Sequence, residues 1–337
     1  DIAPKLVAGI VWINGTNMMD AAAGFGGVRE SGFGREGGWE GLAGYTKPKL
    51  TSKMRETAVP FTGTNTPTDP LDRTAKLYIG GKQSRPDSGY TDVVYGAEGA
   101  LLGHVSKGNR KDIRNAVEAM NSAKKWSKTT GHFRAQILYF LAENLSVRAD
   151  EFSKRIHDLT GTFDNIEVQD SIKALFTYAA WADKYDGQVH GVPIRGVALA
   201  MKEPLGNIGI LCGDAPLLDF VTPMAAAIAM GNRTTLVPSH AFPLVATDFI
   251  QLLETSDIPA GVVNIVTGNP SELGKTLSDH FDVDAIWNFG CVSHTKMIET
   301  NSAGNLKRTW APRGTPSSHE YLMSATEVKN IWIPYGE

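Results

Sequence analysis

Apolar positions along the chain alternate between strand-like runs and helix-like stripes, most clearly in residues 202–240, KEPLGNIGILCGDAPLLDFVTPMAAAIAMGNRTTLVPSH. Ile208, Ile210 and Leu211 form a short apolar run between Gly206 and Gly213, as expected of a parallel strand covered on both faces. Asp214 then stands where a helix N-cap belongs, Pro216 falls just inside the predicted helix, and Gly231 with Asn232 closes it. Residues 234–237 supply the next strand.

The flanking stretches extend this pattern. Three amphipathic helices are predicted upstream, marked by Ile113, Val117, Met120 and Ala123, by Ile137, Leu138, Leu141 and Leu145, and by Ile172, Leu175, Ala179 and Ala182. Residues 77–83 and 93–99 are expected to pair as strands. Val192, Ile194, Val197 and Leu199 alternate within residues 188–204, which predicts strand on an exposed sheet. Downstream come a helix at about 244–255, a strand at 262–266, a turn at Gly268, Asn269 and Pro270, and strands at 283–288 and 306–310. This βαβ repetition predicts an α/β, Rossmann-like doubly wound fold with a mostly parallel sheet.

The first 74 residues read differently. Residues 7–14, VAGIVWIN, predict a buried strand. The glycine-dense loop at 24–38 implies tight turns against another surface, and it lacks the GxxxxGK[ST] spacing of a phosphate loop. From about residue 47 to 74 the composition shifts. Pro48, Pro60, Pro67 and Pro70 fall there, and Val59 and Asp69 each precede a proline, so an extended interdomain linker is expected. The chain opens at Asp1, already inside a pattern, and reads as a piece of a longer protein.

Composition narrows the function classes. The 337 residues are 42% hydrophobic and 20% charged, with a net charge of -3, which gives no reason to expect nucleic acid or an anionic membrane as a partner. No apolar run approaches the length of a bilayer span. Cys212 and Cys291, the two cysteines, both lie in apolar contexts and argue for a reducing, cytoplasmic setting.

The order of elements and the motifs within them resemble the NAD(P)-dependent aldehyde dehydrogenases. Asn14, the loop from Phe25 through Gly26, Gly27, Arg29, Ser31 and Gly32, then Gly34, Arg35, Glu36 and Gly38, and finally Gly41, Leu42, Tyr45 and Thr46 resemble the closing segment of that family's catalytic domain. Residues 40–49 are echoed at 320–329, and the second copy continues into a terminal strand at 330–334, where the first carries Pro48. The arrangement is similar to the family 16 aldehyde dehydrogenases, which hold two units in tandem, the second truncated. The resemblance implies three parts: residues 1–49 as the tail of an upstream catalytic domain, 50–75 as a linker, and 76–337 as a truncated second domain. In that domain 188–204 and 326–334 would be oligomerisation-type strands.

Against the family pattern the second domain lacks its chemistry. The oxyanion motif Pro-Trp-Asn-Phe-Pro is replaced by Cys212, Gly213, Asp214, Ala215 and Pro216. The ribose-binding Lys-Pro-Ser/Ala-Glu is replaced by Val237, Pro238, Ser239 and His240. Gly290 and Cys291 stand at the pyrophosphate turn, with only the glycine kept. Pro312 falls where a general-base Glu is usual, and only a few residues separate it from the closing segment at Glu320. An acyl-transferring dehydrogenase needs a thiolate nucleophile, oxyanion donors and a base. No catalytic residue is therefore assigned in this chain, nor any metal ligand. Asp214 reads as a helix cap, His240 as a solvated loop or cap residue, and both cysteines as inert apolar fillers. Asn14 and Phe25 are candidates for the substrate channel of the upstream unit. Arg29 and Glu36 are expected to stabilise their loop through an ion pair or cap.

The resemblance thus implies an assembly domain of an aldehyde-oxidising enzyme. NAD or NADP would serve the upstream unit and none is expected in 76–337. Its partner would be the upstream catalytic domain of the same polypeptide, with a homodimer left open. The alternatives are an independently NAD-binding oxidoreductase and a regulatory pseudoenzyme that binds protein partners.

Overall fold

In the structure, a computed structural model, the described residues are 2–47, 57–64, 72–162, 165–193, 195–290 and 292–335. Of the positions singled out in the sequence, Asp1, Pro48, Pro67, Asp69, Pro70, Ile194 and Cys291 lie outside them, as does much of the linker expected at 50–75.

The elements run in this order: β1 (Ile10–Trp12), α1 (Gly38–Ala43), β2 (Leu77–Ile79), β3 (Lys82–Ser84), β4 (Thr91–Tyr95), β5 (Leu101–Ser106), α2 (Arg110–Ser122) and α3 (Gly131–Val147). Then come α4 (Ala149–Thr160), α5 (Asn165–Trp181), β6 (Gln188–Gly191), β7 (Gly196–Pro204), β8 (Asn207–Leu211), α6 (Leu218–Ala229) and β9 (Arg233–Val237). The last group is α7 (Leu244–Asp248), α8 (Ile250–Thr255), β10 (Val263–Ile265), α9 (Pro270–Asp279), β11 (Ala285–Asn288), α10 (Thr295–Ala303), β12 (Arg308–Trp310), α11 (Ser318–Ser324) and β13 (Thr326–Pro334).

The main sheet has the order β12-β11-β8-β9-β10-β2-β3, parallel through β10 and finished by the antiparallel hairpin β2–β3. Successive side chains of its central strands point to opposite faces. Ile208, Ile210, Leu236 and Trp287 enter the larger core with α3, α5 and α6, whereas Leu211, Val237 and Ile286 enter a second core with α2 and α9. This alternation of two apolar faces is what makes the sheet doubly wound.

Helix α6 is the axis of the larger core and has no side-chain cap of its own. Its exposed backbone groups are satisfied from outside. The Glu167 carboxylate accepts the amides of Leu217 and Leu218 at 2.7 and 3.1 Å, while Trp126 Nε1 and Arg134 Nε donate to the carbonyls of Ile228 and Ala229.

A second sheet, of order β1-β13-β7-β6, joins the first residues of the chain to the last. β1 lies parallel to β13 with Ile10 opposite Asn330, and β13 runs antiparallel to β7 over its whole length. Side chains reinforce the seam. Lys329 Nζ donates to the carbonyl of Pro4 and to Glu203, Asn330 Nδ2 to Glu40, and Arg35 to the carbonyl of Val328.

Several expectations need correction. Residues 77–79 and 93–95 do not pair with each other; each closes its own hairpin, β2 with β3 and β4 with β5. Gly80 and Gly81, both at positive φ, form the tight turn that makes the first hairpin local. The strand expected at 7–14 shortens to β1, because only the stretch opposite β13 finds a ladder partner. A fourth helix, α4, separates the second and third expected helices, and the helix at 244–255 is two, α7 and α8. In β7 it is Ala198 and Ala200 that are buried, the small residues of the strand, while Val197 and Leu199 on the opposite face stay half-buried. Ligands of open α/β sheets gather at the carboxyl ends of the strands, so the edge beyond β8, β9, β11 and β12 is where a site belongs.

Candidate functional site at the carboxyl edge of the sheet

Beyond β8 the chain turns through Gly213, where any side chain would collide with the Asp219 carboxylate and the carbonyl of Phe289. Asp219, in the first turn of α6, accepts the amide of Ala215 at 3.0 Å. Together with Glu167 it occupies the amides that a helix start would otherwise offer to an anion.

Asp214 is not the cap of α6, which corrects the expectation from sequence. One carboxylate oxygen accepts the Ser239 hydroxyl at 2.5 Å, and the other accepts the amide of Ala58 at 2.7 Å. The carboxylate therefore ties β8 to β9 and holds residues 57–64 as a strap across the sheet edge. Two further contacts fasten the strap. Phe61 packs on Phe242 with ring centroids 6.3 Å apart, and Gly63 lies so close to Tyr95 and to the Gly99 carbonyl that a side chain would overlap both.

The ends of β11 and β12 are closed by aromatic rings. Trp287, Phe289 and Trp310 meet Tyr321 of α11, with Trp310 and Tyr321 5.2 Å apart edge to face and Phe289 stacked on Tyr321 at 5.6 Å. Tyr178 of α5 touches Tyr321 from behind. Burial pushes the Tyr321 hydroxyl well above its ordinary range, so it stays neutral.

The other singled-out residues do not converge on this edge. Val237 points into the second core and is buried, so it presents no polar group to a ligand. His240 is exposed at the surface. Gly290 packs 3.0 Å from the Cys212 carbonyl when a Cβ is placed on it, so its lack of a side chain serves close packing. Cys212 is buried. Burial first, and then the nearby Asp219 and Asp214 carboxylates, push its thiol well above the ordinary range, which makes it a poor nucleophile. Among the described residues no cluster of three or more His, Cys, Asp or Glu side chains is placed to hold a metal, and no helix is long and apolar enough to cross a membrane.

Asn14 and Phe25 lie elsewhere, on the β1 side of the molecule. Asn14 is exposed with φ 51, a left-handed conformation that asparagine tolerates. Phe25 and Glu36 exchange backbone hydrogen bonds of 2.7 and 2.8 Å. With Met18, Met19, Gly24 and Trp332 they line a half-open cleft of about 350 Å³. Glu36 thus acts through its backbone, and the residue that orders the loop is Arg35, whose guanidinium donates to the carbonyls of Gly27, Gly34 and Val328. Ala58, Glu167, Asp219 and Tyr321 also shape these regions and were not singled out in the sequence, and Arg35 was named there only as part of the loop motif. Only Asp219 carried a local signal, an acidic residue in a first helical turn.

A sequence model described as the aldehyde dehydrogenase family matches residues 1–51 and 84–321. An aldehyde dehydrogenase of Agaricus bisporus is 33% identical over 255 residues, which is 73% of this chain and 51% of the relative. Aldehyde dehydrogenase 1A1 of Rattus norvegicus is 32% identical, covering 67% and 47%. The chain spans about half the length of these curated relatives. Among solved structures, a betaine aldehyde dehydrogenase from Staphylococcus aureus in complex with NAD+ superposes with a TM-score of 0.68 and 25% identity, over 70% of this chain and 49% of that one. Sequence and fold agree: the chain belongs to the aldehyde dehydrogenase family.

Proposed function

We propose that residues 76–337 form a non-catalytic assembly domain of an NAD(P)-dependent aldehyde dehydrogenase, joined by a linker at 50–75 to residues 1–49, the tail of that enzyme's catalytic domain. The parent is read as a tandem, family 16-type, cytoplasmic protein that oxidises aldehydes to carboxylic acids. Its nucleophile and general base lie in the upstream unit, which alone uses NAD or NADP.

The observation that carries this reading is the filled sheet edge. A dinucleotide does not fit the residues present. Asp214, Asp219 and Glu167 take the amides of Ala58, Ala215, Leu217 and Leu218, and a pyrophosphate would meet three carboxylates where it needs donors. The aromatic cluster around Tyr321 seals the neighbouring strand ends. No step of catalysis is therefore routed through a nucleotide in this domain.

The assembly role is supported by the sheet that β1 shares with β13. Residues 2–47 are fastened along that seam, yet Val7, Met19, Trp39 and Tyr45 among them are exposed. These exposed apolar side chains fit burial against the body of a catalytic unit. The cleft beside Phe25 would then border that unit's substrate channel, with Trp332 of the assembly domain as one wall.

Calorimetric titration of the chain with NAD+ and with NADP+ tests the proposal. No saturable heat is expected from either. Micromolar binding would replace it with an independently nucleotide-binding oxidoreductase.

A further inference from the structure

The sequence contains one Asn-Gly pair, Asn14 followed by Gly15. It falls in the turn that leaves β1. Just before it, the amide of Ile13 donates to the Trp332 carbonyl at 3.0 Å. Just beyond it, the Met18 carbonyl accepts Trp12 Nε1, also at 3.0 Å. Between these two anchors Asn14 and Gly15 are both exposed, and among the described residues no hydrogen bond holds the Asn14 side-chain amide or the Gly15 backbone amide. Asn14 stands at φ 51, outside strand and right-handed helical geometry. No ladder or helical bond therefore opposes the rotation that brings its carboxamide carbon against the next backbone nitrogen.

Gly15 completes the arrangement. It has no Cβ to crowd its own nitrogen, and the attacking and attacked groups are neighbours in one chain, so their encounter costs little entropy. The other asparagines lack this combination. Asn207, Asn232, Asn264 and Asn330 are buried, and Asn109 and Asn269 cap helices. Asn17 is exposed and also at positive φ, but it precedes Met18, whose side chain crowds the nitrogen.

We infer that Asn14 is a site of spontaneous deamidation, the reaction behind the thermal lability of asparagine. The Gly15 nitrogen attacks Asn14 Cγ. A new N–Cγ bond forms, the Cγ–Nδ2 bond breaks, and Nδ2 leaves as ammonia, taking up through solvent the proton that Gly15 gives up. The cyclic imide then takes up water. Opening at the side-chain carbonyl gives aspartate, and opening at the main-chain carbonyl gives isoaspartate. Nothing is oxidised or reduced, and water is the only co-reactant.

Either product adds a negative charge to a chain whose net charge is -3. The isoaspartyl product also routes the backbone through Cβ, which lengthens the turn between the Ile13–Trp332 bond and the Met18 carbonyl held by Trp12. Met18 and Met19 line the cleft beside Phe25, so the change reaches a wall of that cleft through the main chain. The pair is a one-way timer set at the end of β1.

Timed incubation of the folded 337-residue chain, followed by trypsin and fragment-ion mass spectrometry of peptide 6–29, tests the inference. That peptide carries both Asn14 and Asn17. Conversion is expected at Asn14, in part to isoaspartate, and faster in mildly alkaline than in mildly acidic buffer, because hydroxide removes the Gly15 amide proton. Asn17 should convert at least about tenfold more slowly. Gly15 is not at positive φ and faces the flexible tip of Met18, so Gly15→Ala leaves the fold intact. It should slow conversion at Asn14 about tenfold by crowding the nitrogen. Asn14→Gln should remove the acidic species that accumulates on ion exchange. No conversion at Asn14, equal conversion at Asn14 and Asn17, or a Gly15→Ala chain that converts at the wild-type rate would overturn the assignment.

Discussion

The amide of Ala58 donates to the Asp214 carboxylate across 2.7 Å, joining residues 156 positions apart. That single carboxylate also holds Ser239, so strap, β8 and β9 meet at one side chain. Asp214→Ala leaves the amide and the hydroxyl without their acceptor and should cost about 1–3 kcal/mol. Urea unfolding measures the loss. Hydrogen exchange at the Ala58 amide should accelerate more than exchange in β8, and equal acceleration at both would show that the strap has no separate stability.

The ring of Tyr321 stacks on Phe289 and meets Trp287 and Trp310 edge to face. Tyr321→Ala opens a cavity among them and should destabilise the chain by roughly 3–5 kcal/mol, with loss of near-ultraviolet dichroism from the tryptophans. Tyr321→Phe keeps the rings together and should retain that signal. A silent Tyr321→Ala would mean that the cluster does not support the closed sheet edge.

Lys329 is nearly buried and bonds both Pro4 and Glu203. Lys329→Ala should loosen residues 2–47 at a cost of about 1–3 kcal/mol. Trypsin would then cut at Arg29 and Arg35 faster than in the wild type. Unchanged cleavage would show that the backbone ladder between β1 and β13 is sufficient without it.

Lys307 is buried, and burial lowers its amine from 10.5 to about 8, opposed in part by Asp284 and Asp279. Below pH 8 the amine is charged in both folded and unfolded chains. Between about pH 8 and 10.5 the unfolded chain binds the extra proton, so this group makes stability rise with pH across that window. Lys307→Met should be the more stable form at neutral pH and should lack the alkaline rise. A wild-type stability that is flat or falling over the window, with the variant following it, would contradict the assignment.

Much of the fold was readable in the sequence because its signals are local. Ile208, Ile210 and Leu211 announced a strand covered on both faces, and Ile113, Val117 and Met120 lie buried along α2 as their spacing required. Hairpin partners were harder. Residues 77–79 could close with any nearby strand, and a turn at Gly80 and Gly81 decided it. The candidate site was less readable. Asp214 matched a helix cap in sequence, but Glu167, brought in from another helix, took over the start of α6 and released Asp214 to the strap. Sequence spacing encodes the reach of a side chain along its own helix, and it carries no record of a carboxylate arriving from 50 residues away.

The seam between the first and last strands sets an order of events during synthesis. The bond from Lys329 to Pro4 joins residues 325 positions apart, so the partner of residues 2–47 leaves the ribosome only after roughly tens of seconds of further translation. Until then Ile10 and Trp12 have no strand to pair with, and this apolar segment stays unfinished while the residues between it and β13 are made. Residues 2–47 are made well before they can be placed. Their safe arrival depends on whatever shields them in the meantime, so depleting holding chaperones in the producing cell should lower the yield of this protein before it lowers the stability of any molecule that has finished folding.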